Sequence, residues 1–295
     1  MKLVFLGSPE PAVPTLRALV AAGHDVLGVV TQPDRRRGRG STLVPTPVGA
    51  AARELGLPVW HDLSLVATCG AELGVVVAYG KIIKQDLLDL VPMINVHFSL
   101  LPRWRGAAPV ERAILAGDNE TGVCIMGLEA GLDTGPIFAE AKTDVATKSA
   151  SDLLGELAEL GAALTVQTLA TGILPPATPQ AGEPVYAAKL TAEDFTLDPD
   201  LPSVQLSRMI RLGRAFALVN GIRFRIHAGE PVTGLPGSAG DVIFSDALYF
   251  VARDGAVRVS VLQPPGSKAM PAETWWRGAR LVTPVRWSKA TEVLG

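Results

Sequence analysis

Short apolar runs alternate with amphipathic stretches through the first part of the chain. "KLVFLG" (2–7), "DVLGVVTQ" (25–32), "GVVVAYG" (74–80) and "MINVHF" (93–98) are too short for helices and mostly lack a polar face. They predict strands buried on both sides of a parallel sheet. Between them, "PAVPTLRALVAAGH" (11–24) places Val13, Leu16, Leu19 and Val20 at helical spacing and stops at Gly23. "TPVGAAARELGL" (46–57) opens on Thr-Pro and ends at Gly56, a helix with both ends marked. "KQDLLDLV" (84–91) predicts a short helix, 121–143 two strands about a Gly-rich turn, and 150–172 the clearest amphipathic helix. Alternation at this pitch predicts an α/β fold with a doubly wound, mainly parallel, Rossmann-like sheet.

The pattern changes after residue 172. Pro-rich "ILPPATPQAGEPV" (173–185) and acidic "LTAEDFTLDPDLP" (190–202) show no periodicity. A helix (203–213) then leads into short alternating segments at 221–227, 240–244 and 248–263, the last centred on Asp254-Gly255, a hairpin signal. These read as a small OB-like β-barrel. The boundaries are an α/β domain at 1–184, a linker at 185–202 and the barrel at 203–295.

Composition refines this picture. At 295 residues, two domains are expected. No apolar stretch approaches a membrane span, and the first one meets Pro9 too early for a secretory signal, so a cytoplasmic location is expected. Cys69 and Cys124 have no CxxC spacing, which argues against a zinc site or disulfide framework. Residues 203–295 hold 12 Lys and Arg against 6 Asp and Glu, whereas the first 202 hold 15 against 23. That asymmetry is either ordinary surface variation or the mark of a polyanion partner for the last third.

Candidate chemistry lies in four places. "GSPEPA" (7–12) follows the first strand but lacks the second glycine of a dinucleotide fingerprint, which discounts NAD or FAD. "DRRRGRGS" (34–41) is either a solvated loop or a phosphate-gripping one, since arginine's planar fork suits phosphate oxygens. Asn95 and His97, two apart on a strand, share a side where a core would take apolar residues. Together an amide donor and an imidazole can hold a developing oxyanion and move a proton; a satisfied buried histidine is the plain alternative. Asp133 in "GLDTG" is either a turn former or a carboxylate that orients and charges His97. Leu100 and Leu101 in the loop "SLLPRWRGAAP" (99–109) would be poor exposed residues unless something flat and apolar covers them.

"NVHFSLLP" followed by "GLDTG" resembles the formyltetrahydrofolate-using transferases. "TQPDRRRGRG", "VVVAYG", "LPRWRGAAPV" and "LQPPGSKAM" (262–270) resemble the branch that acts on initiator tRNA, in order and over nearly the whole chain. The resemblance implies 10-formyltetrahydrofolate as co-substrate, no metal, and the α-amino group of methionine on initiator tRNA as acceptor, for translation initiation. It gives Asn95 the oxyanion, His97 the intermediate and the leaving N10, and Asp133 the orienting of His97. Tyr79, Gly80, Ser99, Leu100, Leu101 and Pro102 would line the folate site. Arg35, Arg36, Arg37 and Arg39 would meet the acceptor end of the tRNA, and Arg208, Arg211 and Lys268 the rest of it. A monomer is expected. Phe98 stands where relatives often carry a small residue or proline, which predicts a reshaped pocket wall beside His97. Relatives with another acceptor, a nucleotide-sugar amine or water, and a nucleic-acid-binding protein without activity remain the alternatives.

Overall fold

A computed structural model describes residues 1–36, 43–279 and 284–290. It divides the chain into two compact units. One comprises Met1–Val110, Asn119–Asp144 and Leu153–Ala188; the other Glu111–Asp118, Val145–Asp152 and Lys189–Gly295.

The first unit is built on a seven-stranded sheet. Its strands are β1 (Lys2–Gly7), β2 (Asp25–Val30), β3 (Val59–Trp60), β4 (Leu73–Val77), β5 (Met93–His97), β6 (Glu120–Gly127) and β7 (Ile137–Asp144). Their spatial order is β7-β6-β5-β4-β1-β2-β3. From β3 through β5 every neighbour is parallel, and β6 and β7 add an antiparallel edge. Leu3, Val4, Phe5 and Leu6 of β1 are all fully buried, which is why this strand is apolar on both faces. Helices α1 (Val13–Ala21), α2 (Pro47–Glu54), α3 (Gln85–Leu90) and α5 (Ala150–Leu169) fall where their periodicity places them; α4 (Pro109–Ala116) begins in the stretch read as a loop. Thr46 caps α2 by accepting from Gly49 N–H at 3.0 Å, with Pro47 at the first helical position.

Helix α5 fixes which way β5 faces. A Cβ added to Gly161 would lie 2.8 Å from Val96 Cγ1, 3.3 Å from Val123 Cγ1 and 3.7 Å from the Phe98 ring. Val96 and Phe98 therefore point at α5. Asn95 and His97, one residue out of phase, point to the opposite side. Phe98 accordingly fills the helix-facing core and does not form a wall beside His97, contrary to the expectation from sequence.

In the second unit, α6 (Ser203–Arg211) precedes a sheet of β8 (Phe216–Val219), β9 (Ile222–Val232), β10 (Val242–Phe244), β11 (Leu248–Ala252), β12 (Gly255–Gln263), β13 (Met270–Pro271) and, after helix α7 (Ala272–Gly278), β14 (Trp287–Ser288). The order β10-β11-β12-β9-β8-β14 is antiparallel throughout, and a bridge between Asp241 and Arg286 joins its ends into a nearly closed barrel. Trp287 stacks on Phe250 inside it and donates its indole N–H to Val251 O at 2.9 Å. Segment 185–202 carries a strand pair, Tyr186–Ala187 with Arg105–Gly106, a 3-10 turn at Glu193–Phe195, and buried Phe195 and Leu197.

Asp254, read as hairpin punctuation, also accepts from Ser203 N–H at 2.7 Å and so caps α6 from a remote strand turn. That backbone hydrogen bond holds its carboxyl below the ordinary carboxylate value. A depressed folded-state value contributes stability above the unfolded value and loses it as pH falls through the folded one. Asp254→Asn should thus flatten the acid side of a stability-versus-pH curve and leave the neutral-to-alkaline shape unchanged, as read by thermal melts.

Candidate active site

Asn95 and His97 sit at the C-terminal end of β5, where open α/β sheets carry their ligand crevice. Across the sheet Asn95 is opposite Met126 and His97 opposite Cys124, so these four side chains share one face. His97 is 6% exposed. Its Nε2 lies 2.9 Å from Trp104 O. A carbonyl can only accept, so Nε2 carries the proton and the neutral ring presents its lone pair at Nδ1. Nδ1 in turn faces Asp133 Oδ2 at 3.8 Å, an electrostatic contact longer than a hydrogen bond.

Asp133 is pinned from its own side. Its Oδ2 accepts from Gly106 N–H at 2.8 Å, and its backbone takes a positive φ of 51° that sets the turn. Gly106 itself has φ 118°, and a Cβ there would meet Ala187 O at 2.9 Å, so only glycine lets the loop backbone reach the carboxylate. The arrangement thus joins β5, loop 99–106 and the 131–135 turn around one imidazole. Asn95 is half-buried, and among the described residues its amide makes no side-chain hydrogen bond, leaving it available as a donor.

Other residues singled out from sequence are placed differently. Leu101 is buried against Cys124 and Met126 and donates its N–H to Cys124 Sγ at 3.4 Å; Leu100 lies over Gly122, whose added Cβ would be 2.6 Å from it. The protein's own sheet therefore covers Leu101 and one side of half-buried Leu100. Burial pushes the Cys124 thiol up to about 11, so it stays a neutral wall. Ser99 is fully buried and donates to Arg103 O at 2.6 Å, bracing the loop from within. The Leu101–Pro102 peptide is cis, and Pro102 remains half-buried. Tyr79 is 3% exposed in a cluster with Val4, Leu6, Val30 and Leu88, and burial raises its phenol. Gly80 is exposed at φ 77°. Tyr79, Ser99 and Leu101 are thus buried, whereas Gly80 is exposed and Leu100 and Pro102 are half-buried.

Of the basic residues, Arg35 and Arg36 are exposed on a short hairpin paired with Val44 and Leu43. Arg37 and Arg39 lie outside the described residues. Lys268 is exposed in the β12–β13 loop. Arg208 and Arg211 are committed elsewhere: Arg208 donates to Ala116 O at 3.3 Å, and Arg211 donates to Lys148 O at 2.8 Å. Burial, then the neighbouring Arg208, lowers the Arg211 guanidinium. These bonds tie α6 to backbone carbonyls.

Sequence reasoning missed Gln180. Its Nε2 donates to Asp133 O and Gly135 O, both at 2.8 Å, while its Oε1 accepts from Arg105 Nε at 3.0 Å and Nη2 at 2.6 Å. The backbone carbonyl of Trp104 was equally invisible, because motifs record side chains only. Among the described residues no group of three or more His, Cys, Asp or Glu is arranged to hold a metal, and no helix is long and apolar enough to cross a membrane.

Residues 1–169 match the family described as formyl transferase, and residues 189–280 its C-terminal domain. The chain belongs to the formyl transferase family. This formyltransferase is 45% identical over 293 residues to methionyl-tRNA formyltransferase of Novosphingobium aromaticivorans, covering 94% of this chain and 97% of the relative. Its fold is similar to an N-formyltransferase from Helicobacter canadensis crystallised with folinic acid and dTDP-3-aminofucose (TM-score 0.67, 17% identity, 90% of this chain and 98% of that one). It is likewise similar to methionyl-tRNA formyltransferase from Clostridium thermocellum (TM-score 0.59, 15% identity, 78% and 93%).

Proposed function

We propose that this formyltransferase moves the formyl group of 10-formyltetrahydrofolate to the α-amino group of methionine on initiator tRNA, in preparation for translation initiation. The observation that carries this reading is the His97 geometry: one ring nitrogen is tied to Trp104 O and the other faces Asp133, and Asn95, whose amide makes no side-chain hydrogen bond among the described residues, lies on the same strand face. The 45% identity to a named methionyl-tRNA formyltransferase supports the acceptor.

The methionine α-amino nitrogen attacks the formyl carbon of the folate co-substrate and gives a proton to solvent water, and the bond from that carbon to the folate nitrogen then breaks. Asn95 donates to the formyl oxygen as negative charge develops there. His97, with Nδ1 facing Asp133, delivers a proton from Nδ1 to the departing nitrogen. The 2.9 Å bond to Trp104 O keeps Nε2 out of that exchange, so Nδ1 is the nitrogen that gains and gives the proton. Gly80, Leu100 and Pro102 are the residues offered for folate contact.

Arg35 and Arg36, exposed beside the rest of the arginine run, are proposed to meet tRNA phosphates, as is Lys268; Arg37 and Arg39 belong to the same run. Exposed Arg223 and Arg225, alternate residues of β9, extend the basic surface of the barrel. Each phosphate contact contributes about 0.7–0.9 to the slope of log affinity against log salt. Replacing Arg35 and Arg36 together by alanine should lower that slope by about 1.5 and raise the KM for tRNA, with the folate KM unchanged. An unaltered slope would remove the pair from the interface.

The test of the reaction offers the enzyme three acceptors with 10-formyltetrahydrofolate: Met-charged initiator tRNA, an amino-deoxy nucleotide sugar, and water alone. Formyl-methionine on the tRNA is the expected product. Tetrahydrofolate release without tRNA, or transfer to the sugar, would replace this reading.

A further inference from the structure

We infer that Gln180 is a positioning residue for formyl transfer, acting through Asp133. The carboxamide stands between two segments that must meet for His97 to face a carboxylate. Its two N–H groups are both used on the Asp133 turn, at Asp133 O and Gly135 O. Both lone pairs of its oxygen are used on Arg105, the residue immediately before Gly106, whose N–H holds the Asp133 carboxylate. Arginine can only donate and carbonyls can only accept, so the orientation of the amide is forced and all four of its hydrogen-bonding positions are filled. Gln180 thus clamps the backbone of residue 133 on one side and the loop that grips its side chain on the other.

No other side chain of this size fills the role. A carboxylate at 180 would keep, and strengthen, the contact with Arg105. It would also set a negative oxygen against two carbonyl oxygens and release the Asp133 turn. Leucine would break both contacts. Small displacements of a reacting group lower rates steeply, since productive geometry tolerates errors well under 1 Å.

The turnover arm of the test rests on the formyl-transfer reading; a substrate-free arm does not. With 10-formyltetrahydrofolate and Met-charged initiator tRNA, Gln180→Glu and Gln180→Leu should each lower kcat by about 10-fold or more, with both KM values within about 2-fold of the parent. Gln180→Glu should lower the melting temperature less than Gln180→Leu, because Arg105 keeps its partner. In the Asp133→Asn background, adding Gln180→Glu should cost no further activity, because its route of action is already gone. Effects that multiply, or a kcat loss that simply follows the melting temperature, would overturn the proposal. In the substrate-free arm, the 15N spectrum of the His97 ring is compared among the parent, Asp133→Asn and both Gln180 variants. Displacement of the Nδ1 resonance by the Gln180 variants in the direction that Asp133→Asn produces is the expected result. An unmoved Nδ1 resonance would refute the clamp. Should the parent enzyme show no turnover on tRNA, the formyl-transfer reading fails and the spectra still decide the fate of Gln180.

Discussion

His97→Ala is expected to lower formyl transfer by about 10²–10⁴-fold, the range over which a positioned proton donor contributes. The loss should fall on kcat with tRNA affinity retained, because the ring lies on the β5 face of the first unit and the proposed phosphate contacts lie on exposed arginines and Lys268. The substitution also removes the ring Nε2 that pairs with Trp104 O. Losing a buried hydrogen bond costs about 0.5–1.5 kcal/mol, so a lowered melting temperature should accompany the change. Activity measured well below that temperature separates the two effects. A near-parental kcat in the folded variant would remove His97 from the chemistry.

Asp133→Asn probes charge with little change in shape. The amide oxygen of asparagine can still accept from Gly106 N–H, so the 2.8 Å contact and the turn survive. What disappears is the negative charge 3.8 Å from Nδ1. The account predicts a fall of about 10²-fold or more in kcat/KM with a nearly unchanged melting temperature, by analogy with the loss when an orienting carboxylate is neutralised. A loss of stability equal to that of a large core deletion, with kcat unchanged, would make Asp133 a turn former only.

Much of this architecture is legible in the sequence because it rests on local periodicity. The buried parallel strands announce themselves as apolar runs, and the period of two in a strand is enough to set Asn95 and His97 on one side. The same logic, followed one residue further, sends Phe98 to the other side, where its ring packs toward Gly161. Helix α4 also has a readable signal, Pro109 at its first position with Val110, Ala113 and Ile114 at helical spacing, but the preceding loop motif obscures it.

The remainder depends on contacts distant in sequence. Leu101 is explained by Cys124 on a later strand, and Gln180 by partners 75 and 47 residues earlier. Arg208 and Arg211, sensible candidates for phosphate on charge alone, find backbone carbonyls 92 and 63 residues away. Backbone acceptors such as Trp104 O and Asp133 O have no representation in a residue pattern, yet they decide which nitrogen of His97 is free and what Gln180 holds.

The most direct measurement is single-turnover formation of formyl-methionyl initiator tRNA by the purified protein with saturating 10-formyltetrahydrofolate, run beside His97→Ala. Donor-dependent formyl-methionine in the parent, and its near absence in the variant, is the predicted result. Equal product in both proteins, or tetrahydrofolate released at the same rate with and without tRNA, would contradict the account.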